Sequence, residues 1–158
     1  MRVSAKADYA LRALIEMAAR AEGAEGAEGR PVSAEELGRL QEIPHNFLQA
    51  ILADLRKAGI VHAQRGQSGG WRLAKDATGV SVADVIRAVD GPLVSVYGLR
   101  PEAVSYNERA DALQRVWIAA RHSLRDVFEQ VSVADLASGK LPSAVTRLTE
   151  DEDAWQPH

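Results

Sequence analysis

No cysteine occurs among the 158 residues. Disulfides, thiol catalysis, thiol redox sensing and Cys-ligated zinc or iron–sulfur centres are therefore excluded. Aromatic residues are scarce, at 5%, and alanine is abundant, which favours helix over strand. No apolar run approaches the roughly 18 residues of a membrane span. No apolar stretch near the N-terminus ends in a small-residue cleavage site, so a cytoplasmic location is expected. The four histidines, at 45, 62, 122 and 158, lack metal-ligand spacing, and residues 66–70 lack the Lys-Ser/Thr and helix start of a phosphate-binding loop. There is no nucleophile elbow and no recognisable carboxylate pair. Neither an enzyme, a cofactor nor a dedicated metal site is expected.

Positive charge is also in deficit, since the formal net charge is -3. Its distribution matters more than its sum. Arg56, Lys57, Arg65, Arg72 and Lys75 fall in a stretch with no acidic residue between Asp54 and Asp76. Such a run reads either as a solvated face or as an electrostatic footprint for nucleic acid. The acidic excess is gathered in Glu150, Asp151, Glu152 and Asp153; it lacks the spacing and glycine of a calcium loop and reads as a solubilising tail.

The length suits one domain, or one domain with an extension, and can bury a core without disulfides or metals. Ala7, Ala10, Leu11, Leu14, Ile15 and Ala18 recur at three and four residues, which predicts an amphipathic helix over 4–20, capped by Ser4. The Glu-Gly-Ala repeat over 22–29 has nothing to bury and reads as a flexible loop. Ser33 with Glu36 spells a capping box for a short helix carrying Leu37 and Leu40. A turn through Glu42 and Ile43 then leads to Pro44 and a helix carrying Phe47, Leu48, Ile51, Leu52 and Leu55. Gly59 is positioned as its left-handed C-cap. Strands are predicted over 60–65 and 71–74, joined by a glycine-rich tip over 66–70. Ser81 caps the next helix, which Asp90, Gly91 and Pro92 stop. Residues 92–106 show no period. A long helix is predicted over 107–130, and Ser132 opens a last short helix.

Helix, tight turn, helix and glycine-tipped hairpin describe a winged helix-turn-helix: a mainly α domain with a two-stranded β-wing. Its second helix would enter the major groove and its wing would reach the backbone or minor groove of double-stranded DNA. His45, Asn46 and Gln49 lie at the end of that helix which meets base edges, and Asn and Gln can pair bidentately with adenine. Arg65 stands at the wing tip. Arg56, Lys57, Ser68 and Arg72 are the expected phosphate contacts, making binding salt-dependent. The plainer reading of these polar residues is solvated helix surface.

Ala110, Leu113, Trp117, Ala120, Leu124, Val127 and Val131 repeat at three and four, a heptad seam. Leu113, Trp117, Ala120, Leu124 and Val127 are the expected interface between two copies around a two-fold axis. The alternative is that the first helix covers the seam within one chain. Tyr97, Trp71 and Trp117 could line a small-molecule pocket, with Arg100, Glu102 and Tyr106 as polar contacts. A dimeric module acting through a partner protein, and a regulator sensing a small effector, stay open beside a plain DNA binder.

Several stretches carry a family resemblance. They are residues 6–14 (KADYALRAL), 47–52 (FLQAIL), 55–61 (LRKAGIV), 65–71 (RGQSGGW) and 81–86 (SVADVI). Over about residues 1–137 the chain resembles the bacterial winged-helix transcription regulators related to IscR, NsrR and CymR. The resemblance implies a homodimer, here expected to be a repressor on a palindromic operator. It implies that Asn46 and Gln49 face bases, that Arg65 enters the minor groove, and that the helix over 107–130 forms the dimer. It divides the chain into a DNA-binding domain (1–90), a loop matching the relatives' cluster-binding loop (91–106), the dimerisation helix with a short following helix (107–137) and a mobile tail (138–158). Cluster-binding relatives carry three cysteines in that loop. Here Ser95, Tyr97 and Ser105 stand in it, and hydroxyls are poor ligands for iron, so no iron–sulfur cluster is expected. Asp8 and Arg12, four apart on a helix, read as an ion pair.

Overall fold

The computed structural model describes residues 2–22 and 30–157. The repeat read as a flexible loop lies outside the described residues, save for Glu22, which ends the first helix. The elements run α1 (Ala5–Glu22), α2 (Ala34–Gln41), α3 (His45–Lys57), β1 (Val61–Gln64), β2 (Gly70–Leu73), α4 (Val82–Asp90), α5 (Ala112–Phe128), α6 (Val133–Ser138) and α7 (Ser143–Thr149). Strands β1 and β2 form an antiparallel pair with Val61 opposite Leu73 and Gln64 opposite Gly70.

One core gathers these elements. The inward stripe of α1, with Ala7, Ala10, Ala13 and Leu14 fully buried, meets Leu37 of α2 and Leu48, Ile51, Leu52 and Leu55 of α3. Three alanines on that stripe let neighbouring helices approach closely, and the core draws Val80, Val85 and Val133 from the later elements. Helix α6 returns to α1. Its entry is pinned to that of α4 by an isolated bridge between Ser81 and Ser132, where Val82 N–H donates to Val131 O (2.9 Å) and Val133 N–H to Val80 O (2.8 Å).

Local signals govern the helix ends. Ser4 Oγ accepts from Ala7 N–H at 2.9 Å. Ser81 with Asp84 and Ser132 with Asp135 form complete capping boxes. The box expected at Ser33 forms only in half: Ser33 Oγ accepts from Glu36 N–H, while the Glu36 carboxylate turns away to Arg20 at 2.6 Å. An arginine on α1 is a better partner than an N–H that water also reaches. Gly59 (φ 69) closes α3, with Gly59 N–H to Arg56 O and Ile60 N–H to Leu55 O, the paired bonds of a Schellman motif.

Helix α5 begins at Ala112, five residues later than its period predicts. Asn107 Oδ1 accepts from Ala110 N–H at 3.1 Å, and Ala110, Leu113 and Gln114 N–H groups bond three residues back. The asparagine side chain thus supplies a turn in competition with the helix. The aperiodic stretch before it is built from local turns. Val96 and Leu99 bridge across Tyr97 and Gly98, both at positive φ, and Pro101–Ala103 makes a 3-10 turn. In the segment over 138–158, α7 buries none of its residues. A further 3-10 turn, Glu152–Trp155, places the Trp155 Nε1–H 2.8 Å from Thr149 O.

Candidate nucleic-acid interface

The α2–α3 unit turns sharply because Glu42 takes the left-handed conformation (φ 53) as the C-cap of α2. Ile43 N–H bonds back to Gly38 O at 2.9 Å, and Ile43 is buried. Gly38 suits this corner, since a Cβ there would sit 3.2 Å from Ile43 O. Arg12 of α1 donates to Gln41 O, closing the turn from the other side. The same side chain pairs with Asp8 at 3.5 Å, as the i,i+4 spacing predicts, and lies over the Tyr9 ring.

With α3 so placed, its two faces separate cleanly. At 100° per residue, Leu48, Ile51, Leu52 and Leu55 share one side and are fully buried. Asn46, Ala50, Ala53 and Lys57 share the opposite side with Gln49 flanking them, and all are exposed. His45 is exposed at the first turn and Arg56 at the last. The small Ala50 and Ala53 leave the middle of this exposed side free of long side chains. Phe47 is the one large apolar side chain exposed on α3: it is half exposed and meets Tyr9 edge-on, ring centres 6.1 Å apart.

A tie that the sequence does not announce fixes the helix from behind. Lys6 Nζ reaches the Asp54 carboxylate at 2.5 Å and Val89 O at 3.0 Å. One ammonium thus joins α1, α3 and α4. Lys6 and Asp54 are 48 residues apart in sequence, so no periodic signal links them.

The wing is held equally firmly. Val32 and Trp71 exchange two backbone hydrogen bonds, 2.9 and 2.7 Å, attaching the root of β2 just ahead of α2. At Gly70 (φ 151) a Cβ would lie 2.7 Å from the Val32 backbone, so this close approach requires glycine. Arg65 and Ser68 are exposed in the tip. Arg72 is half-buried, and its Nε donates to His62 Nε2 across the strand pair at 2.6 Å. The structure therefore places His45, Asn46, Gln49, Arg56 and Lys57 on one exposed helix and Arg65, Ser68 and Arg72 on the adjoining wing.

The third predicted cluster behaves differently. No residue of α5 is buried, and Leu113 and Val116 are 39% and 55% exposed. Trp117, Ala120 and Leu124 line a groove of about 960 Å³ with residues 92–96 and with Arg2 and Ser4 just ahead of α1. Trp117 Nε1–H donates to Tyr106 Oη at 3.2 Å. The aromatic pocket read from the sequence does not assemble: Tyr97 is 93% exposed, Trp71 packs on the main core, and of the three only Trp117 lines this groove.

Comparison with known proteins resolves what this architecture is. The family profile described as Rrf2, iron-dependent transcriptional regulator, matches residues 3–139. The chain belongs to the Rrf2 family of transcriptional regulators. It is 42% identical over 156 residues to the HTH-type transcriptional regulator Rv1287 of Mycobacterium tuberculosis strain H37Rv, covering 99% of this chain and 93% of that one. It is 29% identical over 139 residues to the HTH-type transcriptional regulator CymR of Bacillus subtilis, covering 87% and 91%. The solved structure of CymR, the global cysteine regulator of B. subtilis, superposes with a TM-score of 0.70 at 27% identity, covering 88% of this chain and 98% of CymR. That of T. potens IscR gives 0.65 at 26% identity, covering 100% and 93%. The winged-helix fold of the Rrf2 family is thus the fold of this chain, and its relatives are regulators rather than enzymes.

The family description carries iron. The residues of this Rrf2 chain do not fit it. The loop over 91–106 offers Ser95, Tyr97 and Ser105 where thiolates would be needed, and hydroxyls are weak donors to iron. Among the described residues no three His, Cys, Asp or Glu side chains converge as a metal site; His158 lies outside them. No helix among them is long and apolar enough to cross a membrane.

Proposed function

We propose that this Rrf2 chain is a cytoplasmic homodimeric repressor that binds a near-palindromic operator sequence-specifically, without an iron–sulfur cluster. The observation carrying this reading is the exposed side of α3. Polar hydrogen-bonding residues (His45, Asn46, Gln49) occupy its N-terminal turns and cations (Arg56, Lys57) its C-terminal turn, with no carboxylate on that surface. Asn46 and Gln49 read base edges, each bidentate pair contributing about 1–3 kcal/mol of discrimination. His45 joins them at the groove floor. Arg65 enters the minor groove from the wing, where narrow A·T-rich steps attract guanidinium. Arg56, Lys57, Ser68 and Arg72 hold phosphates.

Dimerisation is supported by the unburied apolar band of α5. Leu113, Trp117, Ala120, Leu124 and Val127 form a stripe within one quadrant of the helix, and Val116 widens it. Pairing two stripes about a two-fold axis removes this band from water and sets two copies of α3 to read half-sites about 34 Å apart. Repression requires only occupancy, since a dimer across two half-sites competes with polymerase for the promoter.

Purified protein incubated with sheared genomic DNA, followed by sequencing of the retained fragments, tests the reading. One palindrome should be enriched, and the double variant Asn46→Ala/Arg65→Ala should lose that enrichment. Retention without any common sequence, or with the same sequence in the variant, would remove the assignment of α3 and the wing. No retention at all would favour a module that works through a partner protein.

A further inference from the structure

Away from the α3 surface, a cleft of about 470 Å³ opens between α4, the connecting segment and α5. Its rim carries four arginines, Arg87, Arg100, Arg121 and Arg125, around Gly91 and Glu102. They come from three parts of the fold: Arg87 from α4, Arg100 from the connection, Arg121 and Arg125 one turn apart on α5. In a chain of net charge -3, these four guanidiniums form a second basic cluster, apart from that of α3 and the wing.

Carboxylates occupy the hydrogen-bonding capacity of these arginines only in part. Glu102 meets Arg121 through one nitrogen at 2.5 Å. Glu129 takes Arg87 at 2.5 Å and Arg125 at 2.9 and 3.2 Å. Asp84 stands 3.6 Å from Arg87 on its far side. Asp126 adds Coulombic attraction to Arg125, so four carboxylates face four guanidiniums, yet the Arg100 guanidinium has no hydrogen-bonding partner among the described residues and meets Glu102 only through Coulombic attraction. The field of the site shows in the acids: Arg125 and then Arg87 push the Glu129 carboxyl down to about 2. A guanidinium holds five donors in a planar fork, so this rim retains bidentate capacity for carboxylate or phosphate oxygens. The volume lies in the ordinary range for small-ligand sites, about 300–1,000 Å³.

We propose that this cleft binds a small organic polyanion, with carboxylate or phosphate groups bridging Arg100 and Arg121 on one side to Arg87 and Arg125 on the other. The site also has a consequence for regulation, which rests on the DNA-binding reading above. Glu129 ties α4 of the winged domain to α5 through Arg87. An anion on the same arginines competes with Glu129 and Glu102, loosens that tie and reorients α5, the dimer helix, against the domain that carries α3. Ligand occupancy then alters the spacing of the two recognition helices and hence operator affinity.

The test uses the full chain, with citrate as the polycarboxylate probe and pyrophosphate as the phosphate probe, against sodium chloride at matched ionic strength. Thermal unfolding and titration calorimetry are read without DNA, so the outcome does not depend on operator binding. At least one probe should raise Tm saturably, and which one does distinguishes the two anion chemistries. Arg100→Gln should weaken that probe's binding by about tenfold or more, a charged donor having been lost. Its Tm without ligand should stay unchanged, because the side chain is exposed and bonds nothing. Lys57→Ala should bind the probe as the wild type does. Saturation by neither probe would overturn the proposal. So would equal binding by Arg100→Gln, or loss of binding in Lys57→Ala, which would place the anion on the DNA-facing surface.

Discussion

Asn46 and Lys57 share one exposed side of α3, and their chemistry suits them to different work in the proposed DNA contact. An amide has a donor and an acceptor in fixed geometry and can distinguish adenine from the other bases. An ammonium on four methylenes is a point charge that follows any phosphate. Asn46→Ala is therefore expected to relax sequence preference, at a cost of about 1–3 kcal/mol on the preferred site and little on others. Lys57→Ala is expected to weaken all sequences about equally and to reduce the salt slope of log K by about 1. Competition binding to the enriched site and to scrambled duplexes, repeated over a range of salt, separates the two. Equal losses on both duplexes for Asn46→Ala would show that Asn46 does not read a base. The sequence already sorted these residues, because helix periodicity separates the buried leucines from the polar positions without tertiary information. It was silent about Lys6, whose contact with Asp54 spans 48 residues, and about Arg72, which bonds to His62 in addition to standing on the wing.

At the scale of the element, two features carry more than their sequence signal suggests. The first is the root of the wing. A methyl group at Gly70 would press on the Val32 backbone at 2.7 Å, with φ at 151°. Gly70→Ala is expected to destabilise the protein by about 1–3 kcal/mol and to lower DNA affinity as the wing shifts. Gly79→Ala, where nothing lies within 4 Å, serves as the control. Urea unfolding beside DNA titration reads both, and equal stability of the two variants would refute the account. The second is the link of α4 to α5 through Glu129. Its carboxyl lies at about 2, below its ordinary 4.5, so the ionised form is favoured in the folded state. A depressed carboxylate contributes stability that is fully present above its unfolded value and is lost as pH falls toward the folded one. The wild type should therefore lose stability between about pH 4.5 and 2 more steeply than Glu129→Gln, as measured by acid titration of ellipticity. Superimposable acid limbs would remove the bridge from the ledger of stabilising contacts. The capping serines at 81 and 132 were legible because a cap and its N3 acid lie three residues apart. The half-formed box at Ser33 was not, because a remote arginine, Arg20, decided where Glu36 points.

For the whole molecule, the open question is what covers α5. An apolar band on a helix with no buried residue is expected to pair with a second copy. Leu113→Asp should convert the dimer to a folded monomer in sedimentation velocity, since Leu113 is already 39% exposed in the single chain. The concentration dependence of Tm should vanish with it, and operator affinity should fall about 100-fold or more as the two half-sites uncouple. A variant that still sediments as a dimer would place the interface elsewhere. The heptad spacing marked this helix as a seam, but it placed the start five residues early and could not say which side of the band would be left open.

What the sequence determined by itself is what depends on short separations. Helix periods, caps, the glycine-tipped hairpin and the polar side of α3 all follow from residues within a few positions of one another. The absence of thiols likewise set the expectation of no iron–sulfur cluster before any geometry was known. Only the tertiary structure decided how distant residues meet. It brought Lys6 to Asp54, seated the wing on Val32, and scattered the three aromatics expected in one pocket. It also gathered Arg87, Arg100, Arg121 and Arg125 around a single cleft. Those four arginines have no common period and lie up to 38 positions apart. Their proximity follows from the way α5 leaves the domain and α6 returns to it, an arrangement set by burial of the shared core rather than by any local signal.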